Sequence, residues 1–255
     1  MAQRSTFSAF RYRNFKILFA VNIGSNIGTW SQRVAQDWLV LELSGTGREL
    51  GVVTGLQFAP ALLLSLYGGV LADRFNKRHL LILTNLGGAI CAGVLGGLVL
   101  SNSIQMWQVY LIALGLGIFS AIDAPIRQSF TSELVSKTDL ANAVSLNSAN
   151  FNIGRLVGPG LTGLSIAAFG TGPSFVLNAI SFLIVIAGLL NLRESDLHSI
   201  EPETSKATIR DAIAYVRNDH RILTLMILVF FGATFGLNNQ IFNALMTTTV
   251  YHKGP

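Results

Sequence analysis

Charge is scarce in this sequence: Asp, Glu, Lys and Arg make up 12% of its 255 residues, about half the roughly 25% usual for soluble domains. Apolar residues reach 51%, and mean hydropathy is +0.52. A soluble fold this poor in charge could not cover its own surface, so the expected solvent is the lipid bilayer. Cysteine is nearly absent. The single Cys91 sits inside an apolar run, which excludes an intrachain disulfide and marks it as a small packing residue. The four histidines, His79, His198, His220 and His252, fall in connections or beyond the last apolar run. No metal-ligand spacing, nucleophile elbow or phosphate-binding loop occurs, so neither an enzyme nor an ATP-driven pump is expected, and no cofactor or metal. A cleavable leader is not expected either, because the first apolar run is too long and no small-residue cleavage site follows it.

What the sequence has in quantity is long apolar runs. A hydrocarbon core about 30 Å thick needs about 20 mostly apolar residues of helix. Seven stretches fit: 15–43, 50–71, 80–100, 107–124, 142–169, 173–192 and 222–247. Short polar breaks such as Ser44–Gly47 and Ser101–Ser103 separate them. A net charge of +5 could suggest a nucleic-acid partner, but the cations bracket apolar runs instead of forming one patch. Their placement sets the orientation. Fourteen of eighteen fall at one side: Arg4, Arg11, Arg13, Lys16, Arg74, Lys77, Arg78, Arg127, Lys137, Arg193, Lys206, Arg210, Arg217 and Arg221. Only Arg48 and Lys253 fall at the other, while Arg33 and Arg155 lie within runs. The N-terminus is therefore expected in the cytoplasm. Residues 193–221 form the one long connection. It opens with an acidic linker around Glu201, Pro202 and Glu203, then carries Ile209, Ala212, Ile213 and Val216 on one helical face, the pattern of an interfacial amphipathic helix.

After the second run come Gly69, Asp73, Arg74, Asn76, Lys77 and Arg78. Their spacing resembles the loop signature of the major facilitator superfamily, G-x-x-x-D-R-x-G-R-[KR], with Asn76 in place of the second glycine and Lys77 in place of an arginine. Gly69 is read as permitting close helix approach, Asp73 as a group that caps or pairs at a helix terminus, and Asn76 as tolerating a left-handed backbone. A second stretch runs from Asp123, Pro125 and Arg127 through Glu133 and Asn142 to Asn147, Asn152, Arg155, Gly158 and Pro159. It resembles a bacterial branch of that superfamily that includes enterobactin and drug exporters, and the resemblance covers essentially the whole chain. Gly154, Gly158 and Pro159 resemble the G-x-x-x-G-P motif of fifth helices in antiporters. Independently of any family, Pro159 bends a helix, and Gly154/Gly158 form a small-xxx-small face for close packing. Gly24/Gly28, Gly51/Gly55 and Gly93/Gly97 repeat that spacing.

Charges within the runs carry the sharpest functional expectation. Each costs at least about 2.5–3.5 kcal/mol at mid-bilayer, so it should face a partner or a water-filled cavity. Arg33 and Asp37 are four apart and can pair along one helix face, with Gln36 adjacent. With a helix starting near Lys16, Arg33 lies about 26 Å along it, toward the outer leaflet. Asp123, near the cytoplasmic end of the fourth run, can cap a helix beside Pro125. Arg155 adds charge to the polar fifth run. Together Arg33, Gln36, Asp37, Asp123 and Arg155 are the candidate proton and substrate pathway.

The fold expected is all-α and membrane-integral. Residues 1–192 supply the N-terminal six-helix half of a major facilitator fold, 193–221 the cytoplasmic inter-half connection, and 222–255 the first helix of an incomplete second half. The resemblance implies a bacterial inner-membrane transporter, proton-coupled and exporting small molecules by alternating access. Its partners would be lipid, a small-molecule substrate, protons and a missing C-terminal half packed on helices two and five. An importer on the same fold, or a truncated non-transporting assembly partner, are the alternatives.

Overall fold

Apolar runs of this length satisfy their backbone hydrogen bonds only as helices in lipid, and short loops force neighbouring helices to run antiparallel. A computed structural model describes residues 6–198 and 215–236, without the side chains of residues 66 and 233–236. Seven α-helices are described: α1 (Arg13–Ser44), α2 (Gly47–Arg74), α3 (Lys77–Leu100), α4 (Met106–Leu134), α5 (Leu140–Phe169), α6 (Gly172–Leu190) and α7 (His220–Gly236). No strand occurs among the described residues. Local chemistry ends the helices where the sequence breaks. Gly45 adopts φ +65° to close α1, a left-handed position that glycine takes without steric cost. Gln105 and Gln108 cap α4 reciprocally. Asn76 also departs from its expected role. Its backbone is extended, and its side chain accepts from the His79 amide as the N-cap of α3.

Two compact units divide the chain at Ile200/Glu201. In the second unit, residues 215–218 are helical and α7 is apolar through Gly232. The acidic linker, residues 209–214 of the amphipathic segment and 237–247 of the seventh run lie outside the described residues.

In the first unit α1 packs on α5 and α6, α4 packs on α2 and α3, and α3 packs on α6. Exchanging α1, α2 and α3 for α4, α5 and α6 leaves that pattern unchanged. Because the chain enters α1 and α4 from opposite ends of the bundle, the two three-helix units are inverted repeats, the construction of many membrane transporters. By hydropathy α3, α4 and α6 each suffice to cross a membrane, and α2 does so as a span bent by 52°. The strongly polar α1 and α5 fall short because many of their polar side chains face other helices and a cavity.

The fourth run is longer than expected. Pro125 and the charges after it read as an end at residue 124, yet α4 continues to Leu134. Asp123 is therefore no terminal cap, and Arg127 lies on the helix instead of in a connection. Membrane helices tolerate proline because neighbours compensate for the lost backbone bond. Here the Pro125 ring lies against Gly68, where a Cβ would stand only 2.6 Å from it.

Lipid tails are as apolar as leucine, so helix association rests on close packing and polar contacts. The glycines show where backbones meet. A Cβ on Gly154 would stand 2.7 Å from Asn26 of α1, and one on Gly158 2.8 Å from Trp30 Cβ. Gly28 is equally tight against Asn178 of α6, and Gly117 against the Gln57 carbonyl of α2. Gly24, Gly51, Gly55, Gly69 and Gly97 have open space instead; close approach at the α2 terminus belongs to Gly68. Gly158→Ala is therefore expected to destabilise the protein by about 1–3 kcal/mol, the usual range for overpacking. Gly97→Ala should leave it within about 0.5 kcal/mol of wild type. Thermal unfolding of both variants in the same detergent checks the pair.

Candidate functional site

A cavity of about 760 Å³ lies among the helices of the first unit. Its wall mixes aliphatic, aromatic and polar side chains, including Phe19, Asn22, Arg33, Phe58, Asp123 and Arg127. An inner polar layer joins three helices. Arg127 donates from Nε to Asp123 Oδ2 (2.7 Å), from Nη2 to Asp123 Oδ1 (3.1 Å), and from Nη1 to Asn22 Oδ1 of α1 (2.7 Å). From α3, Thr84 Oγ1 donates to Asp123 Oδ1 at 2.7 Å and Asn85 Nδ2 at 3.1 Å. An i,i+4 pair on one helix is thus held in place from α1 and α3. Charge-assisted bonds of this kind are about twice as strong as neutral ones, and they offset the cost of placing both charges within the span. Asn85 Oδ1 is buried with no partner among the described residues, an unused acceptor beside the carboxylate.

Toward the basic end Thr131 accepts from Asn147 of α5 at 3.2 Å, and alongside this layer Asn150 accepts from Asn26 at 3.0 Å while donating to the Phe19 carbonyl. Toward the far end, Gln32 accepts from Asn178 of α6 at 2.7 Å. Asn22, Thr84, Asn85 and Asn178 were not singled out by sequence reasoning. Their only signal is being polar within apolar runs, and that does not reveal which helix each one faces.

The far layer is built around Trp30. The ion pairs among the described residues are Arg11–Asp139, Lys77–Glu133, Arg78–Glu194 and Arg127–Asp123; Arg33 and Asp37 do not form one. The Arg33 guanidinium instead lies 4.7 Å from the Trp30 ring and 5.0 Å from the Phe58 ring of α2. These are contacts in which the aromatic face attracts the cation. Arg155 of α5 approaches the same indole at 5.7 Å. Asp37 is half-buried one turn beyond Arg33, outside the cavity wall. Gln36 is 2% exposed, and its Oε1 has no partner among the described residues. Of the expected pathway residues, Arg33 and Asp123 line the cavity, while Gln36, Asp37 and Arg155 stand behind or beside it.

The basic end of the bundle is tied by polar contacts between distant segments. Lys77 pairs with Glu133 at 2.6 Å; Arg78 binds Glu194 at 3.0 Å and the Leu190 carbonyl at 2.9 Å. Asp73 and Arg74 of the same motif are exposed and join no ion pair among the described residues. Asn14 and the backbone of Arg193 bond reciprocally at 2.8 and 3.1 Å. Arg11 and Tyr12 both donate to Asp139. A hydrogen bond from Ser8, with those from Tyr12 and Arg11, holds the Asp139 carboxyl below the ordinary carboxylate range. A depressed carboxyl of this kind stabilises the fold above the ordinary carboxylate pKa and loses the effect as pH falls through its lowered value.

Residues 4–252 match the family model described as transmembrane secretion effector. The staphyloferrin A transporter of Staphylococcus aureus is 30% identical over 172 residues, covering 67% of this chain and 43% of that protein. An uncharacterized MFS-type transporter of Bacillus subtilis is 26% identical over 222 residues, covering 84% of the chain and 52% of its own length. The multidrug efflux pump Tap of Mycolicibacterium fortuitum is 29% identical over 182 residues, covering 69% and 44%. The chain spans about half the length of these curated relatives.

Proposed function

The chain belongs to the transmembrane secretion effector family of major facilitator transporters, and on that premise we propose that the complete protein exports small molecules by proton-coupled alternating access. The chain is a multi-pass membrane protein and, like its family, a transporter type rather than an enzyme. The observation that carries the transport reading is the cavity itself. A wall of amides, hydroxyls and a tethered Asp123–Arg127 pair inside an apolar bundle costs too much to serve packing alone. Two of the relatives are named as a staphyloferrin A transporter and as a multidrug efflux pump, and a mixed aromatic and polar wall can hold small-molecule cargo.

On this reading the basic end faces the cytoplasm of a bacterial cell, in accord with the distribution of Lys and Arg. The partner half packs against α2 and α5, whose Leu62, Leu156 and Leu164 are 81%, 82% and 73% exposed in the first unit. Asp73 and Arg74 are free to meet that half at the cytoplasmic gate. Protons pass through carboxylates within the spans, Asp123 on the cavity wall and Asp37 behind it, with Arg33, Gln36 and Arg155 beside the route.

Everted vesicles carrying the complete protein test this directly. With the lumen acidified and a pH-sensitive acridine reporting the gradient, adding ethidium or 4-phenylbutyrate outside should release protons from the lumen. Vesicles lacking the protein should show only passive change. If neither compound releases protons beyond that control, while the protein is present and folded, proton-coupled export of such molecules is wrong.

A further inference from the structure

The far layer holds more positive charge than its structural contacts use. Arg33 lines the cavity, and Arg155 lies on the same face of α5 as Phe151, one turn away, which also lines it. Their guanidinium centres stand 4.7 and 5.7 Å from one Trp30 ring, so they are no more than about 10 Å apart. Neither forms an ion pair among the described residues. α5 contains no carboxylate, and α1 offers Asp37 one turn from Arg33 and exposed Glu42 farther out. Two cations therefore share one nearby carboxylate, a surplus of one positive charge within the span.

Aromatic faces hold a guanidinium in position without using its N–H donors. Five such donors in a planar fork match a carboxylate in bidentate fashion. Trp30 is itself fixed, because Gly158 packs on its Cβ and Phe151 meets its ring edge-to-face at 5.5 Å. Half-exposed Phe58 and Phe151 leave apolar surface beside both cations. A surplus of a single charge suits a carboxylate better than a doubly charged phosphate.

We infer that Arg33 and Arg155, seated around Trp30, bind the carboxylate of an amphipathic organic anion whose apolar body lies along Phe58 and Phe151. This deepens the export reading by naming the class of cargo, and it rests on that reading.

The test uses the complete protein with every tryptophan except Trp30 replaced by phenylalanine, titrated with 4-phenylbutyrate and with 4-phenylbutylammonium, which has a similar body and the opposite charge. Saturable change in Trp30 emission is expected with the carboxylate and not with the amine. Arg155→Gln should weaken carboxylate binding at least tenfold, Arg155→Lys should recover part of the loss, and Arg48→Gln, in the first turn of α2, should change nothing. Arg33→Gln is the second variant should Arg155→Gln not fold. Equal or tighter binding of the amine, no binding of the carboxylate, or unchanged affinity in both glutamine variants overturns the assignment. Proton release by ethidium without carboxylate binding overturns this site and leaves the export reading standing. Carboxylate binding that depends on both arginines, with no transport of either compound, keeps the site and overturns export.

Discussion

Arg127→Leu is expected to lower the stability of the protein by about 2–3 kcal/mol. Breaking a fully buried ion pair by removing one partner costs about 3–5 kcal/mol, because an uncompensated charge remains. The cavity leaves Arg127 32% and Asp123 19% exposed, so solvent recovers part of that loss. What remains after the substitution is a carboxylate held only by Thr84 and Asn85, and an Asn22 side chain that has lost its donor. Asp123→Asn alone leaves the opposite charge unpaired. The double variant Asp123→Asn/Arg127→Leu removes both charges and should be more stable than the sum of the single effects implies, by about 1–3 kcal/mol of coupling. Thermal unfolding of the four proteins in one detergent reads this cycle. Strict additivity would mean that the two groups do not sense each other and that the inner layer is not organised around their pair.

The helices were legible because the bilayer imposes a length of about 20 residues on each apolar run, and six described helices of the first unit follow those runs. The fourth was cut short for a physical reason. Pro125 and Arg127 look like the end of a span, but Gly68 receives the proline ring, and Asp123 with Asn22 receives the guanidinium. Each of those compensations comes from another helix, and a single sequence shows no such pairing. The same holds for the glycines. Their four-residue spacing was visible, but Gly154 and Gly158 touch a backbone while Gly51 and Gly55 do not, and only packing decides which. Arg33 and Asp37 were read as a pair because four residues bring side chains onto one helical face. The indole of Trp30, three residues earlier, and Phe58 from α2 compete for the guanidinium. Asp123 was legible as a charge inside a span, whereas the roles of Thr84 and Asn85 depended on contacts almost forty residues away.

Asp37→Asn is expected to abolish uphill transport while sparing downhill exchange. Among the carboxylates within α1–α6, Asp123 is tied by Arg127, Thr84 and Asn85. Asp37 has no ion-pair partner among the described residues, since Arg33 is turned onto the aromatic rings. A carboxylate that is not locked into a pair is free to gain and lose a proton as its surroundings alternate between the two sides. Asparagine keeps its size and removes that exchange. Substrate binding should therefore survive, and the bilateral equilibrium should no longer respond to a proton gradient.

Accumulation in proteoliposomes of the complete protein under an imposed pH gradient is the most direct measurement, using whichever of ethidium or 4-phenylbutyrate releases protons in everted vesicles. Wild type should concentrate the compound against its gradient and lose that ability when the pH gradient is collapsed. Asp37→Asn should bring it only to equal concentration on both sides. Wild-type accumulation indifferent to the pH gradient would contradict proton-coupled export, and undiminished uphill accumulation by Asp37→Asn would remove Asp37 from the coupling route.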